Sequence, residues 1–324
     1  MGRAETSTRE AAVMSSATEA LNGLDGPLVD AAVLERELGH PRLRVLDVRG
    51  RHASSPLPHA KRHEFEQGHI PGARFIDWER DFVALDDPVP LQLADAAGFA
   101  HQAGELGIGD GDTVVAYDDY YGIFAARLAW AFRANGARSF VLDGGWQSWL
   151  AEERPISAEV IEPAAASFTP RPRPRLRRTL SEVLAAREHG AVLVDARPRH
   201  LFLGEEGLGG GGHIPGARCL PYQELVDGAT GLWAAPDAVA RLARDAGIDP
   251  ERPPAELIAT CGSGISATVA MLALERIGVH ADGVYDGSFN EWSADTSRPI
   301  AYGRAAETTQ RAGVLAPTHN KRGQ

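Results

Sequence analysis

Cysteine is scarce in this chain, which has two, Cys219 and Cys261, among 324 residues. Two cysteines cannot build a disulfide framework, and no Cys/His cluster has the spacing of a zinc site. The sequence therefore predicts neither a metal nor a cofactor. We expect a free thiol in a reducing compartment, the cytoplasm.

Long apolar runs and an excess of positive charge are also missing. No run approaches the roughly 20 apolar residues of a membrane span, and the first 25 residues lack the apolar centre of a secretory signal. The formal net charge is −11, whereas binding to nucleic-acid phosphates requires a basic surface. Membranes and nucleic acids are therefore excluded as main partners.

The chain does contain an internal repeat, which predicts its organisation. The seven residues GHIPGAR occur at 68–74 and again at 212–218, each time after a segment with the pattern D-x-R. Similar apolar and aromatic segments follow in the same order in both halves. The chain is therefore read as two tandem copies of one fold.

The boundaries of the two copies follow from composition. The first domain is placed at 27–150 and the second at 179–300. Between them, 151–178 is rich in Pro, Arg and Ala without periodicity, which is typical of a linker on the surface. The last segment, 303–324, is expected to be a disordered tail.

Each copy alternates short apolar runs with amphipathic stretches, as βα units do. This predicts an α/β fold in which each domain is a mainly parallel sheet flanked by helices. In the second copy, strands are predicted within 191–196, 217–221, 256–260 and 282–286. Helices are predicted at 181–188, 236–247 and 266–278.

Cys261 begins a glycine-bearing turn, CGSGI, between a predicted strand and a predicted helix. In open α/β sheets, ligands bind beyond the carboxyl ends of the strands. Backbone N–H groups gather at the start of a helix, where a thiol ionises more readily and becomes nucleophilic. In the first copy, alignment on a common 25-residue spacing puts Asp118 at the cysteine position. The second domain is therefore predicted to be catalytic and the first to be supporting.

These motifs resemble the tandem-domain rhodanese family of sulfurtransferases over roughly 27–300, and the loop CGSGISA resembles the 3-mercaptopyruvate type. The resemblance implies that Cys261 attacks the outer sulfur of a small donor, 3-mercaptopyruvate or thiosulfate. The resulting persulfide passes its sulfur to a thiol, cyanide or protein acceptor. Loop glycines would adopt conformations that a side chain opposes, and the loop amides would hold the anionic sulfur. The loop residues expected to contact substrate are Gly262, Ser263, Gly264, Ile265 and Ser266.

Some positions depart from the family pattern. The resemblance implies a carboxylate-binding arginine just before the aromatic residue Phe202, where this chain has Leu201, and a second arginine where it has 204–212. Arg199 could replace them, and His69 matches a histidine with a possible substrate or acid–base role. Other cations that could compensate lie in the first domain: Arg51, Lys61 and Arg62.

Two alternatives to a sulfurtransferase are a phosphatase and a non-enzymatic protein. Cysteine-loop phosphatases of the same fold place an arginine at the sixth position after the cysteine, where this chain has Ala267, so a phosphatase is excluded. A non-enzymatic rhodanese-fold scaffold or sulfur-carrier partner is left open by the missing arginines. Cys219, inside a predicted strand without a glycine turn, is expected to be inert.

Overall fold

A computed structural model describes Leu21, Leu24 and residues 26–205 and 211–303. The described residues form two α/β domains, and each contains a five-stranded sheet. The strands of the first sheet are β1 Leu28–Val29, β2 Leu43–Asp47, β3 Arg74–Phe75, β4 Thr113–Tyr117 and β5 Arg138–Leu142. Its helices are α1 Ala31–Glu37, α2 Arg62–Gln67, α3 Ala96–Glu105, α4 Ile123–Ala134 and α5 Gly145–Ala151.

The second domain repeats this plan. Its strands are β6 Arg177–Arg178, β7 Val192–Asp195, β8 Arg218–Cys219, β9 Leu257–Thr260 and β10 Gly283–Tyr285. Its helices are α6 Leu180–Glu188, α7 Arg199–Leu203, α8 Tyr222–Leu225, α9 Pro236–Asp245, α10 Ala267–Glu275 and α11 Ser288–Ala294. The strands and helices predicted for this copy are confirmed.

The two sheets have the same topology, which confirms the repeat. Their strand orders are β1-β5-β4-β2-β3 and β6-β10-β9-β7-β8, and every pairing in them is parallel. The central strands β4 and β9 are buried along their whole length, as expected for parallel sheets covered on both faces. The predicted α/β fold of two parallel-sheet domains is therefore confirmed.

The segment 151–178 does more than connect the domains. Ser157 pairs with His69 of the first domain through two backbone hydrogen bonds of 2.8 and 2.9 Å. Phe168 packs its ring 5.6 Å from that of Phe99, and at the other end β6 joins the second sheet. The segment read as a surface linker thus contributes to both domains. Of the predicted tail, all but Gly303 lies outside the described residues.

The domains share one continuous apolar core that includes α4 and α10. Two equivalent aspartates, each at the carboxyl end of a sheet, bond to the opposite domain. Asp143 accepts from the amide of Trp233 at 2.9 Å, and Asp286 accepts from the amide of Leu93 at 3.0 Å. This pairing fixes the two sheet edges against each other. Within the described ranges, no helix is both long and apolar enough to cross a membrane.

Candidate active site

Cys261 lies where β9 ends, at the carboxyl edge of the second sheet, and is 2% exposed. Its amide donates to Ser288 Oγ at 3.1 Å. Its carbonyl accepts from the Phe289 amide at 2.9 Å, and the Gly262 carbonyl accepts from the Asn290 amide at 2.9 Å. The start of α11 therefore holds the backbone of the cysteine loop from one side.

The amides of residues 262–266 donate no hydrogen bond to any acceptor in the described part of the chain. The matching loop of the first domain shows what such amides bind. There the Asp118 carboxyl accepts from the Tyr120 and Gly122 amides at 2.9 and 3.0 Å, and from the Phe124 and Ala125 amides at 2.9 and 3.0 Å. Complete burial raises the pKa of Asp118 to about 7, against the effect of these donors.

The first-domain loop is thus filled by a side chain of its own, whereas the second-domain loop offers its amides beside Cys261. Backbone N–H groups arranged in this way stabilise an anion such as a thiolate or a persulfide. This contrast between two equivalent loops singles out the second as the one able to hold a reacting group.

A cavity of 180 Å³ opens at this loop and is lined by both domains. Cys261, Gly262, Ser263, Ile265 and Ser266 line it from the second domain, so most of the predicted loop residues are brought together here. The apolar and aromatic lining residues outside the loop are Ala53, Trp78, Leu91, Ile123, Phe124, Pro198, Leu201 and Tyr222.

The cavity offers few charges to an anionic donor. Arg197 lines it, but its guanidinium contacts Asp195 at 2.6 Å, donates to the Gly212 carbonyl at 2.7 Å and stacks 3.9 Å over the Phe289 ring. These contacts hold the Arg197 guanidinium against its own loop. The other basic residue of the lining, His52, is exposed to solvent.

The two loop glycines differ in backbone conformation and in the space that a side chain would have. Gly264 has φ +77°, and a Cβ there would lie 2.5 Å from the Asp286 carbonyl oxygen, so a side chain is excluded as predicted. At Gly262, φ is not positive, and a Cβ would meet only Arg197 Cδ at 4.0 Å. The conformational reason predicted for Gly262 is therefore wrong, and the absent side chain instead keeps space beside Cys261.

His69 does not reach the cavity. It is fully buried, its Nδ1 lies 2.8 Å from the Phe65 carbonyl, and its Nε2 lies 3.1 Å from the Glu159 carbonyl. Its ring also stacks 3.9 Å from that of Phe65. The expected substrate or acid–base role is corrected here, because both ring nitrogens face backbone carbonyls.

Arg199 also points elsewhere. It lies on α7, exposed to solvent, and its guanidinium pairs with Glu224 at 2.8 Å. That partner raises the pKa of Arg199. The expected role of Arg199 in substrate binding is therefore corrected, whereas Leu201, the position of the expected arginine, does line the cavity.

None of the three first-domain cations that could compensate lines the cavity. Arg51 pairs with Glu64, Lys61 pairs with Asp119 at 2.5 Å, and Arg62 stacks 4.8 Å over the Phe75 ring. Cys219 lies half-buried in β8, where burial raises the pKa of its thiol to about 12.

One contact with the loop was missed by sequence reasoning. Arg127, on α4 of the first domain, lies with Nη1 2.7 Å from Asp286 Oδ1 and 3.3 Å from the Gly264 carbonyl oxygen. Its Nη2 donates to the Leu91 carbonyl at 2.8 Å, and the group stacks 4.3 Å over Trp130. A first-domain residue thus holds the second-domain loop, and no local pattern could have indicated this.

Comparison with known proteins agrees with this geometry. The family model for the rhodanese-like domain matches residues 30–152 and 179–295. A 3-mercaptopyruvate sulfurtransferase of Mus musculus is 36% identical over 283 residues, 82% of this chain and 91% of that protein. A thiosulfate sulfurtransferase of Cricetulus griseus is 36% identical over 264 residues, 78% of this chain and 85% of that protein.

Solved structures show the same fold. SseA from Escherichia coli, described as a 3-mercaptopyruvate sulfotransferase, aligns with a TM-score of 0.72 and 29% identity, covering 82% of this chain and 99% of its own. Tum1 from Saccharomyces cerevisiae aligns with a TM-score of 0.75 and 21% identity, covering 88% of this chain and 100% of its own.

Proposed function

The chain belongs to the rhodanese family and is a sulfurtransferase, and from this premise we propose that it transfers sulfur through a persulfide on Cys261. The observation that supports this most directly is the set of unoccupied amides beside Cys261, at the position where Asp118 fills the equivalent loop. Catalysis is assigned to the second domain, 179–300, and a supporting role to the first, 27–150.

The first half-reaction loads the cysteine. The Cys261 thiolate attacks the outer sulfur of the donor, and a new S–S bond forms. The bond between that sulfur and the donor breaks, and its electron pair leaves with the donor fragment, which is the enolate of pyruvate or sulfite. The amides of residues 262–266 hold the anionic persulfide, and Ser263 and Ser266 can donate hydroxyl hydrogen bonds to the leaving group.

The second half-reaction unloads the cysteine. An acceptor thiolate or cyanide attacks the outer persulfide sulfur, the S–S bond to Cys261 breaks, and the Cys261 thiolate is regenerated. A thiol, cyanide or a protein thiol fits this chemistry. The scarcity of cysteine supports a reducing compartment, the cytoplasm, as the place where it occurs.

Among donors, 3-mercaptopyruvate is favoured over thiosulfate. Thiosulfate is a dianion and requires a cation beside the cysteine, whereas the loop residues next to Cys261 are the neutral Gly262 and Ser263. The mercaptopyruvate carboxylate, in turn, meets Leu201 in the cavity instead of an arginine. We therefore expect mercaptopyruvate to have the higher kcat/KM, with a high KM.

Intact-mass spectrometry after mixing with donor tests this function. We expect the wild-type chain and Cys219→Ala to gain the mass of one sulfur atom, and Cys261→Ala to gain none. Cys219→Ala is the matched control because its thiol is half-buried in a strand outside the cavity. Turnover by the Cys261→Ala variant would contradict the assignment, and a chain that never carries the extra sulfur would be a scaffold.

A further inference from the structure

A second cavity, of 380 Å³, lies at the amino edge of the first sheet, opposite the edge that carries Asp118. Segments that precede β2, β4 and β5 line it together with part of 151–178. Its basic lining residues are His40, Arg42, Arg138 and Arg171. A cationic cavity stands out in a chain whose formal net charge is −11.

The acidic residues of this cavity are already engaged. Asp112 pairs with Arg44 at 3.0 Å and accepts from the Gly109 amide at 2.8 Å. Asp110 accepts from the Thr169 amide at 2.8 Å, and this bond is the main reason why the pKa of Asp110 is lowered. Both carboxylates therefore organise the cavity wall.

The cations are less engaged. Among the described residues, the guanidinium groups of Arg42 and Arg171 make no hydrogen bond and no ion pair within 4 Å. Arg138 uses one nitrogen to donate to the Leu24 carbonyl at 3.0 Å. Arg42, Arg138 and Arg171 are exposed to solvent, and Arg171 lies near enough to Asp110 for its charge to help lower the pKa of that carboxyl. An anion bound here would give these guanidinium groups partners of opposite charge.

The backbone makes room for two of these side chains. Gly111 has φ +79°, and a Cβ there would lie 2.6 Å from Arg42 Nη1. Gly136 has φ +86°, and a Cβ there would lie 2.7 Å from Arg171 Cβ. A side chain at position 136 would displace the backbone of Arg171, whereas one at position 111 would meet only the flexible end of Arg42.

The carboxyl end of α4 also borders the cavity, and a helix end of this kind disfavours anions. Here its carbonyls are used by the chain itself. The Ala134 carbonyl accepts from the Arg173 amide at 2.7 Å, and the Asn135 carbonyl accepts from the Arg171 amide at 2.8 Å. The negative end of the helix is thereby partly compensated.

We propose that this cavity binds a small phosphorylated molecule through Arg42 and Arg171. Guanidinium groups form paired, charge-assisted hydrogen bonds with phosphate oxygens. Thr113, Thr169 and Phe168 line the same space, and its volume is within the range of small-molecule sites. The site is separate from the cysteine loop and does not depend on the proposed sulfur chemistry.

Titration calorimetry at low salt with inorganic pyrophosphate tests the proposal on the full chain. Arg42→Gln and Arg171→Gln should each weaken pyrophosphate binding about 10- to 150-fold. Because no described residue forms a hydrogen bond or an ion pair within 4 Å with either guanidinium group, both variants should keep the wild-type melting temperature. Arg241→Gln is the matched control, since it removes an exposed arginine on α9 that pairs only with Asp237 at 3.1 Å.

Wild-type affinity in Arg241→Gln, with loss in the two cavity variants, would support the site. Equal affinity in all four proteins would overturn it, as would the absence of binding by the wild type. Sulfate binding as tight as that of pyrophosphate would overturn the assignment to a phosphorylated ligand.

Discussion

Arg127 links the first domain to the cysteine loop, and its replacement by methionine should lower both the stability of the fold and the rate of catalysis. Arg127→Met keeps an unbranched apolar chain over Trp130 but removes the charge. It deletes the ion pair with Asp286, which is 2% exposed, and the hydrogen bonds to the Gly264 and Leu91 carbonyls. The loop then loses its contact with the first domain at Gly264.

The size of the effect follows from the partners that remain. Removing one member of a buried ion pair costs about 3–5 kcal/mol when the other is left unpaired. Asp286 still has Arg177 at 2.8 Å and the Leu93 amide at 3.0 Å, so we expect the free energy of unfolding to fall by about 2–4 kcal/mol. For a chain of this size that lowers the melting temperature by roughly 3–6 °C.

Catalysis should fall as well. A small displacement of the loop can reduce a rate up to about 100-fold, so we expect kcat for persulfide formation to fall about 10- to 100-fold, with a smaller change in KM. Single-turnover loading of Cys261, followed by mass, measures this directly. Arg127→Lys, which keeps the charge, should recover part of the rate.

Arg133→Met provides the matched control. Arg133 also lies on α4 and also crosses to the second domain, where it pairs with Glu275 on α10 at 2.8 Å. The two side chains are 15% and 26% exposed, close to the 14% of Arg127, but neither touches the loop. We expect Arg133→Met to lose stability while kcat stays at the wild-type value. Equal kcat values in Arg127→Met and Arg133→Met would refute the positioning role of Arg127.

Three further outcomes are expected. Leu201→Arg should lower the KM for 3-mercaptopyruvate about 10- to 150-fold, the value of one charge-assisted hydrogen bond. Steady-state kinetics in which this KM is unchanged would contradict it. Because burial raises the pKa of Cys219 to about 12, iodoacetamide at about pH 8 should leave Cys219 unmodified, and alkylation of its peptide in the folded chain would show otherwise. Because the pKa of Asp118 is raised to about 7 from 3.8, the folded chain binds this proton more tightly than the unfolded chain. The contribution of Asp118 to stability therefore falls as pH rises from about 4 to about 7, and urea denaturation should show a shallower pH dependence in Asp118→Asn.

The sequence predicted the sheets and the position of Cys261 because both follow from local patterns. A mostly apolar strand such as β9 is expected to be buried on both faces, and a glycine turn after it lies at the carboxyl edge of the sheet. The contact between Arg127 and Gly264 spans 137 residues and depends on how two domains pack. Nothing within one copy of the repeat encodes that packing.

The prediction for Arg199 fails because local sequence patterns do not fix the direction of a side chain. Arg199 is predicted as a possible substitute for the missing arginines, yet its position on α7 pairs it with Glu224 at 2.8 Å. Leu201, two residues later, is the residue that faces the cavity. Side-chain direction over one short helix is set by its exact start, which sequence patterns fix poorly.

The repeat itself offers a way to separate structural from functional residues. His69 and His213 stack on Phe65 and Phe202 at 3.9 and 3.7 Å, and each ring nitrogen Nδ1 lies within 2.9 Å of the carbonyl of that phenylalanine. A residue that makes the same contact in a domain with a reactive cysteine and in one without it serves the fold.

Function should instead reside where the copies differ. Asp118 and Cys261 occupy equivalent loops, but one side chain satisfies its own amides and the other leaves them free. The copies also differ at Arg127. It lies nine residues after Asp118, and the residue nine positions after Cys261 is Ala270. By this criterion the first domain supports the proposed site from outside: Asp118 fills its own loop, whereas Arg127 contacts the loop of the neighbouring domain.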